Sequence, residues 1–268
     1  MTSLAVETFS LVKQFGDFVA VDHINLQVKR GSFFGFLGPN GAGKSTTIKM
    51  LTGLLAPTSG KLTVLDLDIA QQPMEVKRRI GVVPEDLNLF ERLTGAEMLS
   101  FTGRMYGLRS EEIGQRSKEL LELMELQDEP KKLIIEYSHG MKKKLSLACA
   151  LIHRPEILFL DEPFEGVDAI ASRTLKDLLS RLTTRGLTVF LTSHVLEIVE
   201  RLCSDIAIIS QGKLLASGSL NELRKGIRVE GDGLEGDGQG PVSLEEYFIH
   251  VVGGTRSSGE EEVLQWLT

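Results

Sequence analysis

The chain has 268 residues, enough to bury a substantial core in one large domain or in a domain with an appendage. Apolar residues at 42% and charged residues at 25% are ordinary for a soluble globular protein. The net charge of −7 argues against non-specific nucleic-acid binding, so no nucleic-acid partner is expected, and it gives no reason for broad adhesion to an anionic membrane.

Met1-Thr2-Ser3 lacks the basic and apolar regions of a secretory signal. The longest apolar run is about Leu145 to Ile152, closed by His153-Arg154-Pro155, so the chain is not expected to cross a membrane by itself. Residues 4–30 read as two β segments, with apolar positions alternating from Ile24 to Val28. Phe33-Phe34-Gly35-Phe36-Leu37 reads as a buried strand. It feeds Gly38-Pro39-Asn40-Gly41-Ala42-Gly43-Lys44-Ser45-Thr46, after which Ile48, Met50, Leu51 and Leu54 follow at helical spacing.

That nine-residue segment fits the phosphate-binding loop. Glycines let backbone N–H groups approach a polyanion, and the helix expected to start near Lys44 adds its positive end. Lys44 can reach the β- and γ-phosphates, and the Ser45 hydroxyl can sit on Mg²⁺.

Pro57 to Gly60 reads as a turn, Lys61 to Leu67 as a strand and Ile80 to Val83 as a short buried strand. From about 93 to 151 the period becomes helical, as at Ile113, Leu120, Leu121 and Met124, which describes a helical insertion. Lys142-Lys143-Lys144 within it reads as a solvated helix face. Ile157 to Leu160 and Thr188 to Leu191 read as buried parallel strands flanking a helix near 171–183. Asp205 to Ser217 reads as a hairpin turning at Gln211-Gly212.

After Lys225 the composition turns glycine-rich and acidic, as in a flexible segment. Ser243 offers an N-cap for a short helix, and Val263 to Leu267 reads as a frayed or weakly docked tail. Cys149 and Cys203, without metal-ligand companions, suit a reducing compartment.

A second group of residues carries chemistry. Asp161 and Glu162 end a buried strand, where open α/β sheets bind ligands. Asp161 is placed to hold Mg²⁺ and Glu162 to polarise the water that attacks the γ-phosphate. His194 ends a strand of the same kind and can donate to that phosphate. Ser138, before the helix through Leu145 and Leu151, is either an N-cap or, with Gly140, part of a second phosphate site.

The ordered set Gly38–Thr46, Glu85, Tyr137–Met141, Leu160-Asp161-Glu162-Pro163, Gly166-Val167-Asp168 and Thr192-Ser193-His194 resembles an ABC transporter ATP-binding subunit. It looks closest to exporter-type subunits for drugs, ions or lipids, whose permease is a separate chain. The resemblance covers about residues 4–225, with the helical insertion at about 86–152 and an extension over 226–268.

It implies an α/β fold: a P-loop NTPase core with a mostly parallel sheet, an N-terminal antiparallel β subdomain and the helical insertion. It implies an ATPase using MgATP, with Glu162 and His194 catalytic and Ser45, Glu85 and Asp161 around Mg²⁺. Two such domains would pair head to tail, as two copies or with a homologous ATPase subunit. Ser138, His139, Gly140 and Met141 of one would then close over the ATP of the other, with Asp168 at the seam. Phe15 would stack on adenine.

The resemblance further implies a membrane permease partner and a place at the cytoplasmic face of the plasma membrane. The permease contact would lie on the helical insertion and the segment after Glu85, and Met98, Phe101, Met105 and Tyr106 make an apolar stripe there. The alternative function is that of a soluble ABC-type ATPase in DNA repair or translation.

Three departures stand out. Tyr137-Ser138-His139-Gly140-Met141 replaces Leu-Ser-Gly-Gly-Gln, and Glu85 replaces a common glutamine, which hints at export. Phe164 and Glu165 add bulk and charge beside Glu162.

Overall fold

The computed structural model describes residues 3–226 and 244–253. The chain opens with three strands, β1 (Leu4–Phe15), β2 (Phe18–Ile24) and β3 (Gln27–Lys29), where the alternation suggested two segments. The long β1 pairs antiparallel with both of its successors, and His23, at φ 52°, is a left-handed residue near the end of β2. Wholly buried β4 (Phe33–Leu37) then leads through the glycine loop into α1 (Lys44–Leu51). Gly53, at φ 68°, stops that helix as glycine commonly does, and Leu54 falls outside it, 66% exposed.

The strand expected over 61–67 is instead a hairpin of β5 (Ser59–Val64) and β6 (Leu67–Asp68). Leu65 and Asp66, at φ 53° and 66°, form a two-residue turn whose twist matches the strands. Next come α2 (Pro73–Arg79) and β7 (Ile80–Val83). The helical stretch holds α3 (Gly95–Met105), α4 (Ser110–Leu123) and α5 (His139–Leu151). A capping box starts α3: the Glu97 N–H donates to the Thr94 hydroxyl, and the Thr94 N–H to the Glu97 carboxylate.

The chain continues with β8 (Ile157–Asp161), α6 (Ala169–Thr184), β9 (Thr188–Ser193) and α7 (Leu196–Leu202). It goes on through β10 (Asp205–Ser210), β11 (Lys213–Ser219), α8 (Leu220–Gly226) and α9 (Leu244–Gly253). The Gln211-Gly212 turn falls where the sequence places it, with φ 49° and 77°. The expected Ser243 cap, the glycine-rich stretch before it and the Val263–Leu267 segment lie outside the described residues.

Two sheets result. The first joins β2, β1, β5 and β6 in that order, with β3 also on β1; the second runs β11-β10-β4-β9-β8-β7. Every pairing in the second sheet is parallel except β10 with β11. Strand period then sorts each residue to one of two cores. Phe34, Phe36, Phe159 and Phe190 face α1 and the antiparallel sheet, with Phe190 about 5.5 Å from each of the other three rings. Burying one such side chain contributes roughly 2–3 kcal/mol.

Phe33, Leu37, Leu158, Leu160, Val189 and Leu191 face the other way, onto the helices. That second core also receives α9, through buried Leu244 with Tyr247, Phe248, Val251 and Val252. The consequence for function is that β4, β8 and β9 run parallel side by side, so Leu37, Asp161 and Ser193 finish at one edge.

Candidate functional site

Gly38 to Gly43 bridges β4 and α1 at that edge. Gly41 and Gly43 have φ of 78° and 106°, which L side chains rarely adopt. A Cβ on Gly38 would stand 2.3 Å from the Ile209 carbonyl oxygen, so this corner admits only hydrogen. Pro39, Asn40 and Gly41 are open to solvent or nearly so, Ala42 is buried, and Ser45 and Thr46 are partly covered on the first turn of α1. The β10–β11 turn braces the loop: the Gly212 N–H donates to the Ala42 carbonyl at 3.0 Å, and the Asp22 N–H to the Gly212 carbonyl at 2.8 Å.

Lys44 is buried and donates to the carbonyl oxygens of Gly38 at 2.8 Å and Pro39 at 3.3 Å. Its ammonium lies 3.3 Å from Glu162 Oε1, and His194 Nδ1 lies 3.1 Å from Glu162 Oε2. Oε1 makes no hydrogen bond, because the Lys44 contact has the distance of an ion pair without its angle. The Lys44 charge offsets the burial of this carboxylate, and Oε1 keeps an unused hydrogen-bond acceptor. Glu162 also holds φ 47°, a left-handed backbone that disfavours non-glycine residues by about 1–2 kcal/mol. Backbone strain and a buried acid with an unused acceptor coincide at one residue, as they do at working sites.

Asp161 is buried beside it, and the register of β8 with β9 sets Asp161 opposite Thr192. The Thr192 hydroxyl donates to Asp161 Oδ1 at 2.6 Å and accepts from the Glu162 N–H at 3.1 Å. One fully buried hydroxyl therefore orients both acids, a role the sequence reading missed. Glu85 follows β7, exposed.

The lysine run is not the solvated face expected of it. Lys142 pairs with Glu91 at 2.7 Å and buried Lys144 with Glu125 at 2.6 Å. Lys143 is buried and donates to the Glu162 carbonyl at 3.1 Å. Burial pushes its pKa below the usual lysine range, while Glu165, Glu85, Asp161 and Glu162 pull the other way.

Ser138 caps α5, accepting from the Met141 N–H at 3.2 Å. His139 packs against Gly166, and Gly140 faces Asp168, whose carboxylate caps α6 through the Ile170 and Ala171 N–H groups. These residues form a second cluster, built on α5 and α6. Phe164 is buried next to the stem of Lys143, and its ring carries the Lys176 ammonium at 5.4 Å. Its bulk therefore fills core space, and Glu165 alone of the two is exposed.

Phe15 ends β1 at the turn into β2, 48% exposed under the Lys13 ammonium at 5.0 Å, so it is not a core residue. Of the apolar stripe, Met98 is buried. Phe101, Met105 and Tyr106 reach the surface, and Phe90 joins them edge-on to Phe101 at 5.1 Å.

A glycine loop between a buried parallel strand and a helix, with a lysine and two buried acids at the same sheet edge, defines a P-loop nucleotide-binding protein. A family model described as ABC transporter matches residues 21–165. The probable multidrug ABC transporter ATP-binding protein YbhF of Escherichia coli (strain K12) is 38% identical over 92% of this chain and 41% of its own length. The chain thus spans about two fifths of that relative.

The linearmycin resistance ATP-binding protein LnrL of Bacillus subtilis (strain 168) is 41% identical over 80% of this chain and 69% of its own. Among solved structures, an ATP-binding subunit of an ABC transporter superposes with a TM-score of 0.82 at 29% identity, over 92% of this chain and 99% of that one. A dimeric ATP-binding cassette in a post-hydrolysis state with ADP and Pi superposes with a TM-score of 0.74 at 25% identity, over 80% and 98%. The chain belongs to the ABC transporter family.

Proposed function

We propose that this chain binds MgATP between two ATPase subunits, hydrolyses it, and thereby drives a separate membrane permease of export type. The observation that carries the reading is Glu162. It is a buried, strained carboxylate ion-paired to Lys44 through Oε1, which makes no hydrogen bond, and to His194 through Oε2, at the mouth of the phosphate loop. In that place it takes a proton from the attacking water, while His194 and Lys44 donate to the phosphate where charge grows. The relatives' names, multidrug and linearmycin resistance, support export over DNA repair or translation.

The residues suit Mg²⁺, a hard cation that takes oxygen ligands and is held by few carboxylates plus phosphates. The Ser45 hydroxyl, Asp161 and Glu85 would supply them, and Asp161 offers a buried carboxylate with a single hydrogen bond, from Thr192, on Oδ1. When bound, the ion neutralises charge on the β- and γ-phosphates.

The cluster of Ser138, His139, Gly140, Met141 and Asp168 serves the partner subunit's ATP, and a dimeric relative supports that pairing. The partner is a second copy or a homologous ATPase subunit. Phe15, open at its turn, stacks on adenine. Phe90, Phe101, Met105 and Tyr106 form the permease contact. Among the described residues no helix is long and apolar enough to cross a membrane, so placement at the cytoplasmic face of the plasma membrane would come through the permease.

The test is Glu162→Gln. It is expected to keep MgATP affinity while turnover falls by about 10²-fold or more. Steady-state hydrolysis at the wild-type rate would remove Glu162 from this role.

A further inference from the structure

The contact between Lys143 and the main chain of Glu162 joins two places that the proposed function keeps apart. Lys143 sits one turn into α5, whose first turn carries His139 to Met141 behind the Ser138 cap. Its side chain is buried, lines a small cavity together with Val83, Leu147, Leu160 and Phe164, and ends with its ammonium on the Glu162 carbonyl at 3.1 Å. Burying an ammonium is expensive unless its hydrogen bonds are made. A lysine kept there at that cost needs a use.

The backbone it holds supplies one. Glu162 is in the left-handed region, at φ 47°, and persists there only because its neighbours over-determine it. Thr192 accepts its N–H, while Lys143 and the Glu165 N–H, at 3.3 Å, both donate to its carbonyl. Two of those holds come from β9 and from the turn itself. The third comes from α5.

We propose that Lys143 is a positioning residue that ties the attitude of Glu162 to the place of α5, and so to the Ser138–Met141 turn at the head of that helix. A short helix moves as a rigid piece, so a ligand engaging its first turn shifts the ammonium one turn further on. The event at the partner's ATP thereby sets the base at this chain's own ATP. The idea rests on the reading of Glu162 as base and of Ser138–Met141 as the surface for the partner's nucleotide. It adds the residue through which the two are coupled.

The experiment compares Lys143→Met, Lys143→Arg, Glu162→Gln and the Lys143→Met/Glu162→Gln pair in the full chain. It measures kcat and KM for MgATP and the affinity for a fluorescent ATP analogue. Lys143→Met is expected to lower kcat about tenfold to a hundredfold with KM and analogue affinity within about twofold, the mark of a displaced catalytic group. Lys143→Arg, which keeps a donor, should recover most of the rate. The double variant should turn over no more slowly than Glu162→Gln alone, because both changes act through one residue.

Wild-type kcat in Lys143→Met, with Glu162→Gln inactive, overturns the proposal and spares the reading beneath it. A raised KM at unchanged kcat would make Lys143 a countercharge to triphosphate and overturns it too, as would losses that multiply in the double variant. Wild-type turnover in Glu162→Gln removes the base itself and the proposal with it. Should Lys143→Met fail to fold, Lys143→Gln carries the same kcat-against-KM comparison.

Discussion

Thr192→Val is the sharpest probe of how this site is held. The swap keeps shape and branching and deletes a single oxygen in a position with no exposure. Two bonds go with it: the 2.6 Å donation to Asp161 Oδ1 and the 3.1 Å acceptance from the Glu162 N–H. A hydrogen bond to a charged group contributes about 1.5–3 kcal/mol, and a buried donor left unpaired costs about 1–3 kcal/mol. Water entering at the sheet edge recovers part of this, so the expected loss is about 3 kcal/mol.

For a chain of this size that lowers Tm by roughly 6–12 °C. Turnover should fall with it, since both acids lose their common anchor. Thr192→Ser, which keeps the hydroxyl and loses one methyl, should give up only about 1 kcal/mol. Thermal melts followed by circular dichroism and MgATPase rates for the three proteins check this. If Val and Ser variants melt together and hydrolyse alike, the hydroxyl does not organise the acids.

Three further outcomes are expected. Phe101→Asp or Met105→Asp, at exposed positions, should abolish co-purification with the proposed permease partner while ATP affinity stays put, and retained co-purification would place the contact elsewhere. Cys149 and Cys203 are both buried; burial pushes the Cys149 thiol up to about 12 and that of Cys203 higher still, so a thiol reagent should label neither in the native protein and both after unfolding. Rapid native labelling would contradict the burial.

The third concerns pH. His153 stacks on Tyr106 at 3.6 Å, and burial pushes its pKa below 6.5 despite the Ile80 carbonyl that favours the proton, with Arg116 adding to the depression. The unfolded chain then takes up the proton first, so stability present above pH 6.5 drains away as pH falls below it toward the folded value. The decline in Tm between about pH 7.5 and about pH 5.5 should be shallower in His153→Gln, and an equal slope would assign it to other groups.

What could be read along the chain was whatever chemistry is contiguous. Gly38 to Thr46, the Asp161-Glu162 pair and His194 each follow a buried apolar strand, and a strand end in an α/β sheet is a place as well as a composition. The hairpin at Gln211-Gly212 was legible for a similar reason, since glycine marks the turn. Thr192 and Lys143 stayed hidden because their partners lie 31 and 19 residues away. Only the β8–β9 register and the seating of α5 create those contacts. The lysine run misled for the same cause, because charge predicts solvent until a neighbouring carboxylate or carbonyl is supplied. Met98 and Phe101 share a spacing that says amphipathic helix without saying which face is inward.

The small turn at Gly212 has a consequence for motion. Through it the phosphate loop is fastened to β2 of the antiparallel sheet as well as to its own strand. A displacement of the Gly212 turn would break the bonds at Ala42 and Asp22 together, so the loop and β2 are coupled through that turn. Amide protons of Asp22 and Gly212 would then exchange with solvent at a common rate, slowed in step when nucleotide loads. The turn is a shared latch, and a shift of the Gly38–Gly43 loop reaches β2 through two hydrogen bonds.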